Sequence, residues 1–158
     1  AMAIATMQKK KFGKLDFKKF HPAGSLGNKL KTVGDLMITR DKIPFINENF
    51  NVEKALEIIN LKKLGTVITR DKKNNTTGIL TDGDIKRLLH KFDDIKKLQV
   101  KSIIKKGPIS VEKDLLAVKA LKIMNDKKIT SLCVHSKSKK NKTVGLIHIH
   151  NILDANIQ

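Results

Sequence analysis

Few side chains in this 158-residue chain are equipped for chemistry, and most of them lie in two short stretches. Residues 78–85 read Gly-Ile-Leu-Thr-Asp-Gly-Asp-Ile and residues 145–152 read Gly-Leu-Ile-His-Ile-His-Asn-Ile. At a strand-to-helix turn, the Thr81 hydroxyl and the free amides of the next helical turn suit an anion. The Asp84 carboxylate can accept hydrogen bonds from vicinal sugar hydroxyls. Thr and Asp are equally good helix caps, so a purely structural role competes with ligand contact. In the second stretch His148 stands in the Thr position and Asn151 in the Asp position. An imidazole can hydrogen-bond a phosphate and an amide can hold a hydroxyl, so that site reads as altered and not abolished. His148 and His150 alternate at a strand end, but a metal centre needs a third ligand. Only His135 is near, with no acidic cluster, so no metal is expected. Thr130 and Ser131 either line a cleft or satisfy backbone groups at a strand start. Cys133 lies in an apolar run and reads as an inert core thiol. His90, on a helix among lysines, reads as a surface residue.

The two stretches are one segment repeated. Their offset of 67 residues also carries Val33 onto Val100 and Leu36 onto Ile103. Between these anchors the offset is 65, carrying Val52, Ala55, Leu56 and Ile59 onto Ala117, Ala120, Leu121 and Met124. Both sets have i, i+3, i+4, i+7 spacing, the signature of an amphipathic helix. Two copies cannot build a solenoid, but they can build a pseudo-symmetric pair with a ligand cleft between its halves.

In the first copy, residues 43–46 predict a strand. Asn51 caps a helix over 52–63. Residues 65–69 and 76–80 predict strands around a turn at 72–75. A helix begins at Asp82 or Asp84, with Ile85, Leu88, Leu89 and Phe92 on one stripe. The second copy predicts strands at 109–111, 131–136 and 143–148 and helices at 115–127 and 149–156. Each copy is thus strand–helix–strand–strand–helix, an α+β layer. About 60 residues is marginal for an independent core, so the copies are expected to pack together.

The formal net charge is +18, yet 30 of the 33 basic residues are lysine and the chain has no Tyr or Trp. Readers of nucleic acid favour Arg for bidentate contacts and aromatic rings for stacking, so nucleic acid is not the expected partner. An anionic small ligand fits the charge. No apolar run approaches the roughly 18 residues of a membrane span, and no secretory signal is evident. The single cysteine fits a reducing compartment. The expected location is therefore cytoplasmic, with no membrane partner.

Residues 1–32 differ from the rest. They carry eight lysines, one acid (Asp16), and Phe12, Phe17 and Phe20, and they run into His21-Pro-Ala-Gly-Ser-Leu-Gly-Asn-Lys-Leu30. Pro22 and Gly24 predict one helix stopping before His21 and another starting near Ser25. The segment has no apolar partner set of its own. It reads as the tail of another domain or as an arm on the repeats.

The element order and the Gly-h-h-Thr-x-x-Asp-h pattern (h, apolar) at 78–85 resemble a tandem pair of CBS (cystathionine-β-synthase) domains, covering roughly 33–158. The motif around His21–Leu30 and the Val33-x-Asp35-Leu-Met37 run extend the likeness. With residues 78–87, Ile129-Thr-Ser131 and 145–150, they resemble the arabinose-5-phosphate isomerase family. That family joins a sugar-isomerase domain to a CBS pair. Ala23 stands where the family has Gly, and Asn151 where it has Asp.

The resemblance implies an α+β tandem CBS pair with an N-terminal helical arm. Residues 1–32 would be the tail of the isomerase domain, 33–92 the first CBS domain and 93–158 the second. It implies a parent enzyme interconverting ribulose 5-phosphate and arabinose 5-phosphate on the route to the lipopolysaccharide sugar Kdo. His21 would be the one active-site residue carried here, so the fragment alone would be inactive. It further implies nucleotide contacts by Thr81, Asp84, Thr130, Ser131, His148, His150 and Asn151. The regulatory ligand would be CMP-Kdo or an adenine nucleotide, with no cofactor required. Stacking of the helices that carry Ile85, Leu88, Leu89, Ile152 and Leu153 would give a homodimer, and a tetramer in the full-length protein. A free-standing adenine-nucleotide sensor serving another enzyme or transporter is the alternative.

Overall fold

The computed structural model describes residues 22–158. Thirteen elements matter for the site. They are α1 (Pro22–Lys29), α2 (Val33–Leu36), β1 (Phe45–Asn47), α3 (Val52–Lys62), β2 (Thr66–Arg70), β3 (Thr76–Thr81), α4 (Asp82–Leu89), β4 (Lys105–Lys106), β5 (Ser110–Glu112), α5 (Ala117–Lys127), β6 (Ser131–His135), β7 (Thr143–His148) and α6 (Ile149–Leu153). The expected α+β architecture is present, as two small sheets ordered β1-β2-β3-β4 and β5-β6-β7. In each sheet the first strand runs parallel to the second and the second antiparallel to the third.

Most boundaries lie within two residues of expectation, and the departures have local causes. Helix α1 starts at Pro22 and not near Ser25. A proline fits the first helical position, because its fixed φ is already helical and its missing N–H would be unpaired there. The strand expected at 43–46 forms at Phe45–Asn47, since Ile43 instead closes a 3-10 turn through its amide to the Arg40 carbonyl. Helix α6 stops at Leu153, short of 156. Asn156 takes a left-handed φ of 61°, and Ile157 turns back into the core at 3% exposure. The stripe predicted from α4 splits: Ile85 is buried, while Leu89 at the helix end and Phe92 beyond it are 57% and 48% exposed.

The repeats exchange their lead-in segments. Val33, Leu36 and Met37, at the start of the first repeat, pack in the core of the second with Ala117, Leu121, Met124 and Ile147. Val100, Ile103 and Ile104 pack in the core of the first with Val52, Ala55, Val67 and Leu80. The hydrogen bonds repeat the exchange. Val33 N–H donates to the Leu115 carbonyl at 2.8 Å and Ala117 N–H to that of Lys31 at 2.8 Å. Their counterparts run from Val100 to Phe50 at 2.8 Å and from Val52 to Leu98 at 2.9 Å. Ile38 bridges Leu146 on β7, and at the equivalent place Lys105 pairs with Ile79 on β3.

This exchange explains the glycine that opens each repeated stretch. A Cβ on Gly78 would lie 2.6 Å from the Lys105 carbonyl oxygen and 2.8 Å from Ile104 Cδ1. A Cβ on Gly145 would lie 2.5 Å from Met37 Sδ and 3.1 Å from the Ile38 carbonyl oxygen. The crossing segment runs so close to the strand that a side chain is excluded.

Between the halves, Ile68 and Cys133, equivalent under the 65-residue offset, share a third core with Ile43 and Leu146. The Thr76 and Thr143 hydroxyls, equivalent under the 67-residue offset, meet at 2.6 Å. Like positions touching like positions mark a pseudo-two-fold axis. Strands β2 and β6 are therefore covered on both faces, by helices and by the other half. That is why both are buried along nearly their whole length and neither shows simple alternation.

Candidate functional site

Thr81 ends β3 and caps α4. Its hydroxyl accepts from Asp84 N–H at 3.1 Å, and Asp84 Oδ2 accepts from Thr81 N–H at 3.0 Å. This reciprocal pair satisfies two of the amides a helix start leaves free. The Asp84 carboxylate has further partners: Arg87 Nη2 donates to Oδ1 at 2.6 Å and Lys105 Nζ lies 3.6 Å from it. Burial pushes the Asp84 carboxyl up, but the Thr81 amide, the Arg87 guanidinium, the Thr81 hydroxyl and Lys105 together hold it below the ordinary carboxylate range. Both the structural and the ligand-binding readings of Thr81 and Asp84 apply to the same atoms, and the capping role is the one filled here.

The second half repeats the geometry with different chemistry. His148 caps α6, its Nδ1 accepting from His150 N–H at 3.1 Å. Asn151 Oδ1 accepts from His148 N–H at 2.9 Å. The two imidazoles stack with centroids 4.9 Å apart. Burial, and then the neighbouring His150, hold His148 below the ordinary histidine range. An Nδ1 that accepts an amide must be unprotonated, so His148 works as a neutral cap and not as a charged phosphate ligand.

Thr130 and Ser131 share this corner. The Thr130 carbonyl accepts from Ile149 N–H at 2.8 Å, and Ser131 pairs across the ladder with His148. The first half has its counterpart in Gly65, whose carbonyl accepts from Asp82 N–H at 2.9 Å, and in Thr66 opposite Thr81. Thr66 went unremarked in the sequence although the 65-residue offset carries it onto Ser131. Its hydroxyl donates to the Leu80 carbonyl at 3.1 Å. Arg87 was visible inside the motif. Lys105 was not, because it reaches Asp84 only through the segment exchange.

Thr81 with Asp84, and His148 with Asn151, therefore form two capped corners, one per repeat. No hydrogen bond among the described residues joins one corner to the other. Cavities of about 500 and 300 Å³ lie elsewhere. The larger runs beside Ser110, Glu112 and His135, the smaller beside Asn28 and Val118. His135 sits at the far end of β6, with Nδ1 2.8 Å from Ser110 Oγ. It lies four residues along β6 from Ser131, the ladder partner of His148, or about 13 Å, which leaves it out of reach of the other two histidines. Cys133 is 1% exposed, and burial pushes its thiol up to about 12 against the weaker pull of the Thr143 hydroxyl. His90 is exposed at the end of α4. His21 lies outside the described residues.

Comparison with known proteins agrees with the repeat. The CBS domain family matches residues 33–91 and again 100–157. Arabinose 5-phosphate isomerase KdsD of Salmonella typhi is 35% identical over 158 residues, which is 99% of this chain and 47% of that protein. The Escherichia coli K12 enzyme of the same name is 34% identical over the same span. The uncharacterized protein RP505 of Rickettsia prowazekii is 34% identical over 157 residues, 98% of this chain and 48% of its own. The chain thus spans about half the length of these curated relatives. Among solved structures, CBSX2 in complex with AMP superposes with a TM-score of 0.67 at 22% identity, covering 80% of this chain and 96% of that one. An uncharacterized protein from Pyrococcus horikoshii gives 0.70 at 17% identity, covering 82% and 95%. At these identities the likeness speaks for the fold. The duplicated helix-capping motif, the paired sheets and the family match lead to one conclusion: this chain belongs to the CBS domain family, as a tandem pair of its repeats.

Proposed function

We propose that this chain is the regulatory end of an arabinose 5-phosphate isomerase. Its CBS pair would bind a nucleotide at the corners built around Thr81 with Asp84 and around Ser131, His148 and Asn151. One observation carries the parent enzyme: the similarity to the KdsD isomerases covers 99% of the chain, although the CBS matches begin only at residue 33. The likeness therefore extends through the His21–Leu30 region, which a free-standing nucleotide sensor does not need. In this reading residues 1–32 are the tail of the sugar-isomerase domain, and His21 belongs to its active site. Proton transfer between C1 and C2 through an enediolate needs a base and a ring-opening group. The rest of that machinery would belong to the isomerase domain. The chain alone is inactive, and the parent enzyme works in the cytoplasm on the route to Kdo.

The ligand is an anionic nucleotide, CMP-Kdo or an adenine nucleotide. Support comes from the helix starts at Asp82 and Ile149, the basic side chains Arg87 and Lys105, and the overall charge of +18. The pair assembles at least as a homodimer through Leu89, Phe92 and Leu153, which are 57%, 48% and 42% exposed. Ile85 and Ile152, once candidates for that face, are buried in the repeat cores and take no part. Calorimetry of the chain with AMP, CMP and CMP-Kdo tests the ligand. A coupled assay with arabinose 5-phosphate, on this chain and on the protein with its upstream domain, tests the enzyme. Turnover by this chain alone, or none by the longer protein, contradicts the enzymatic reading. No heat at millimolar nucleotide contradicts the regulatory one.

The alternative, an adenine-nucleotide sensor serving another enzyme or transporter, draws on one observation: CBSX2, of the same fold, was solved with AMP. Tight AMP binding with no effect of AMP or CMP-Kdo on the isomerase would favour it.

A further inference from the structure

The carboxylate that a sugar would need in the first repeat is already occupied. Asp84 Oδ2 holds the Thr81 amide, and Oδ1 holds Arg87 Nη2 at 2.6 Å. The Asp84 side chain is 10% exposed whereas that of Arg87 is 65% exposed. The guanidinium is folded back over the first turn of α4, where its Nη1 would lie 3.4 Å from a Cβ on Gly83. The second repeat has no such arrangement: His150, Asp154 and Asn151 stand at the positions of Gly83, Arg87 and Asp84.

We propose that Arg87 is an internal competitor for the sugar-hydroxyl position at Asp84. A nucleotide binds the first repeat only by exchanging its own hydroxyls for the Arg87 guanidinium on Oδ1. This inference rests on the nucleotide-binding reading above and adds to it the residue that sets affinity at one of its two corners. The exchange is cheap because the side chain that leaves is long and already mostly in solvent. It spares the cap, because the Thr81 amide stays on Oδ2 while only Oδ1 changes partner. A vicinal diol then meets the carboxylate oxygen that the guanidinium has vacated. With only the Arg87 side of the pair exposed, this competition is modest in size and is partly screened by salt.

The test is calorimetry of the whole chain with AMP, using wild type, R87Q and R87K. Removing the competitor should tighten AMP binding about two- to fivefold in R87Q, with R87K in between. Adenosine, which lacks the phosphate, isolates the screening effect. Its affinity for wild type should rise with added salt, and its affinity for R87Q should not. A residue with a merely structural role would lower affinity when replaced, so the sign discriminates. If wild type binds AMP and R87Q binds it equally or more weakly, the competitor role is overturned and Arg87 is instead a spectator or a phosphate ligand. If neither protein gives heat while both melt as folded domains, the nucleotide reading itself fails, and this inference with it.

Discussion

The two capped corners have the same backbone geometry and different electrostatics. In the first repeat a Thr–Asp pair caps α4, with Arg87 and Lys105 on the carboxylate. In the second, a His–Asn pair caps α6, and the positions of Arg87 and Lys105 hold Asp154 and Ile38. The requirement common to both is the pair of free amides at a helix start. Any two acceptors at i and i+3 can meet it, so the charge of the corner is free to vary. One corner is built to hold cations against an acid, the other to stay neutral. The repeats thus share a scaffold while offering a ligand two different surfaces.

The sharpest way to break the equivalence is at the crossing glycines. Gly78→Ala meets a backbone oxygen at 2.6 Å, whereas Gly145→Ala first meets the movable Met37 Sδ at 2.5 Å. We expect Gly78→Ala to cost ~2–3 kcal/mol and Gly145→Ala about half that, both by overpacking. Urea unfolding would measure both, and a larger loss at Gly145 would contradict the packing described for the exchanged segments.

The caps come next in size. Thr81→Ala should cost ~1 kcal/mol, the usual value of an N-cap. Asp84→Asn should cost less, because Asn151 shows that an amide oxygen serves the same amide in the second repeat. If Asp84→Asn proves as damaging as Thr81→Ala in thermal melts, charge and not capping holds the first corner.

Acid should separate the corners by pH. His148 has its native value lowered, so the unfolded chain takes up this proton first. Its contribution is full above the unfolded value near 6.5 and is lost as pH falls from there through the lowered native value. Asp84 also has its native value lowered, so its contribution is present above the unfolded value near ~3.9 and lost as pH falls through the native one. Melts between pH 7 and 5 should therefore weaken through His148 while Asp84 still holds. His148→Gln should flatten that part of the profile, by under ~1 kcal/mol, and an unchanged profile would contradict the assignment.

The smallest effect belongs to Lys105. Its ammonium is 3.6 Å from Asp84 and its side chain is 71% exposed. Lys105→Gln should change stability by less than ~0.5 kcal/mol, the usual scale for an exposed pair. A larger loss in chemical denaturation would mean that the inter-repeat contact at Asp84 matters more than its exposure suggests.

Much of this was legible in the chain because it is local. The Asn51 cap, the α3 and α5 stripes, the two hairpins and the Thr81 and His148 helix starts depend on residues within a few positions of one another. Caps and periodicities are read at that range. The double role of Thr81 and Asp84 was also legible, since cap and ligand contact use the same side-chain types. Two things were not. Ile85 and Leu89 sit on one helical stripe, and only packing buries one and exposes the other. Lys105 comes to Asp84 from 21 residues further along the chain.

What the sequence determined alone is the repeat: its period, its element order and the helix-capping chemistry at each copy's end, all set by near-neighbour hydrogen bonds and alternation. What only the tertiary structure decided is which copy each segment serves. Residues 31–38 and 98–106 carry no local mark of belonging to the other half, since an apolar Val33 or Val100 suits either core. The choice follows from two half-cores that cannot close by themselves and from a pseudo-two-fold axis through Thr76 and Thr143, about which each half completes the other.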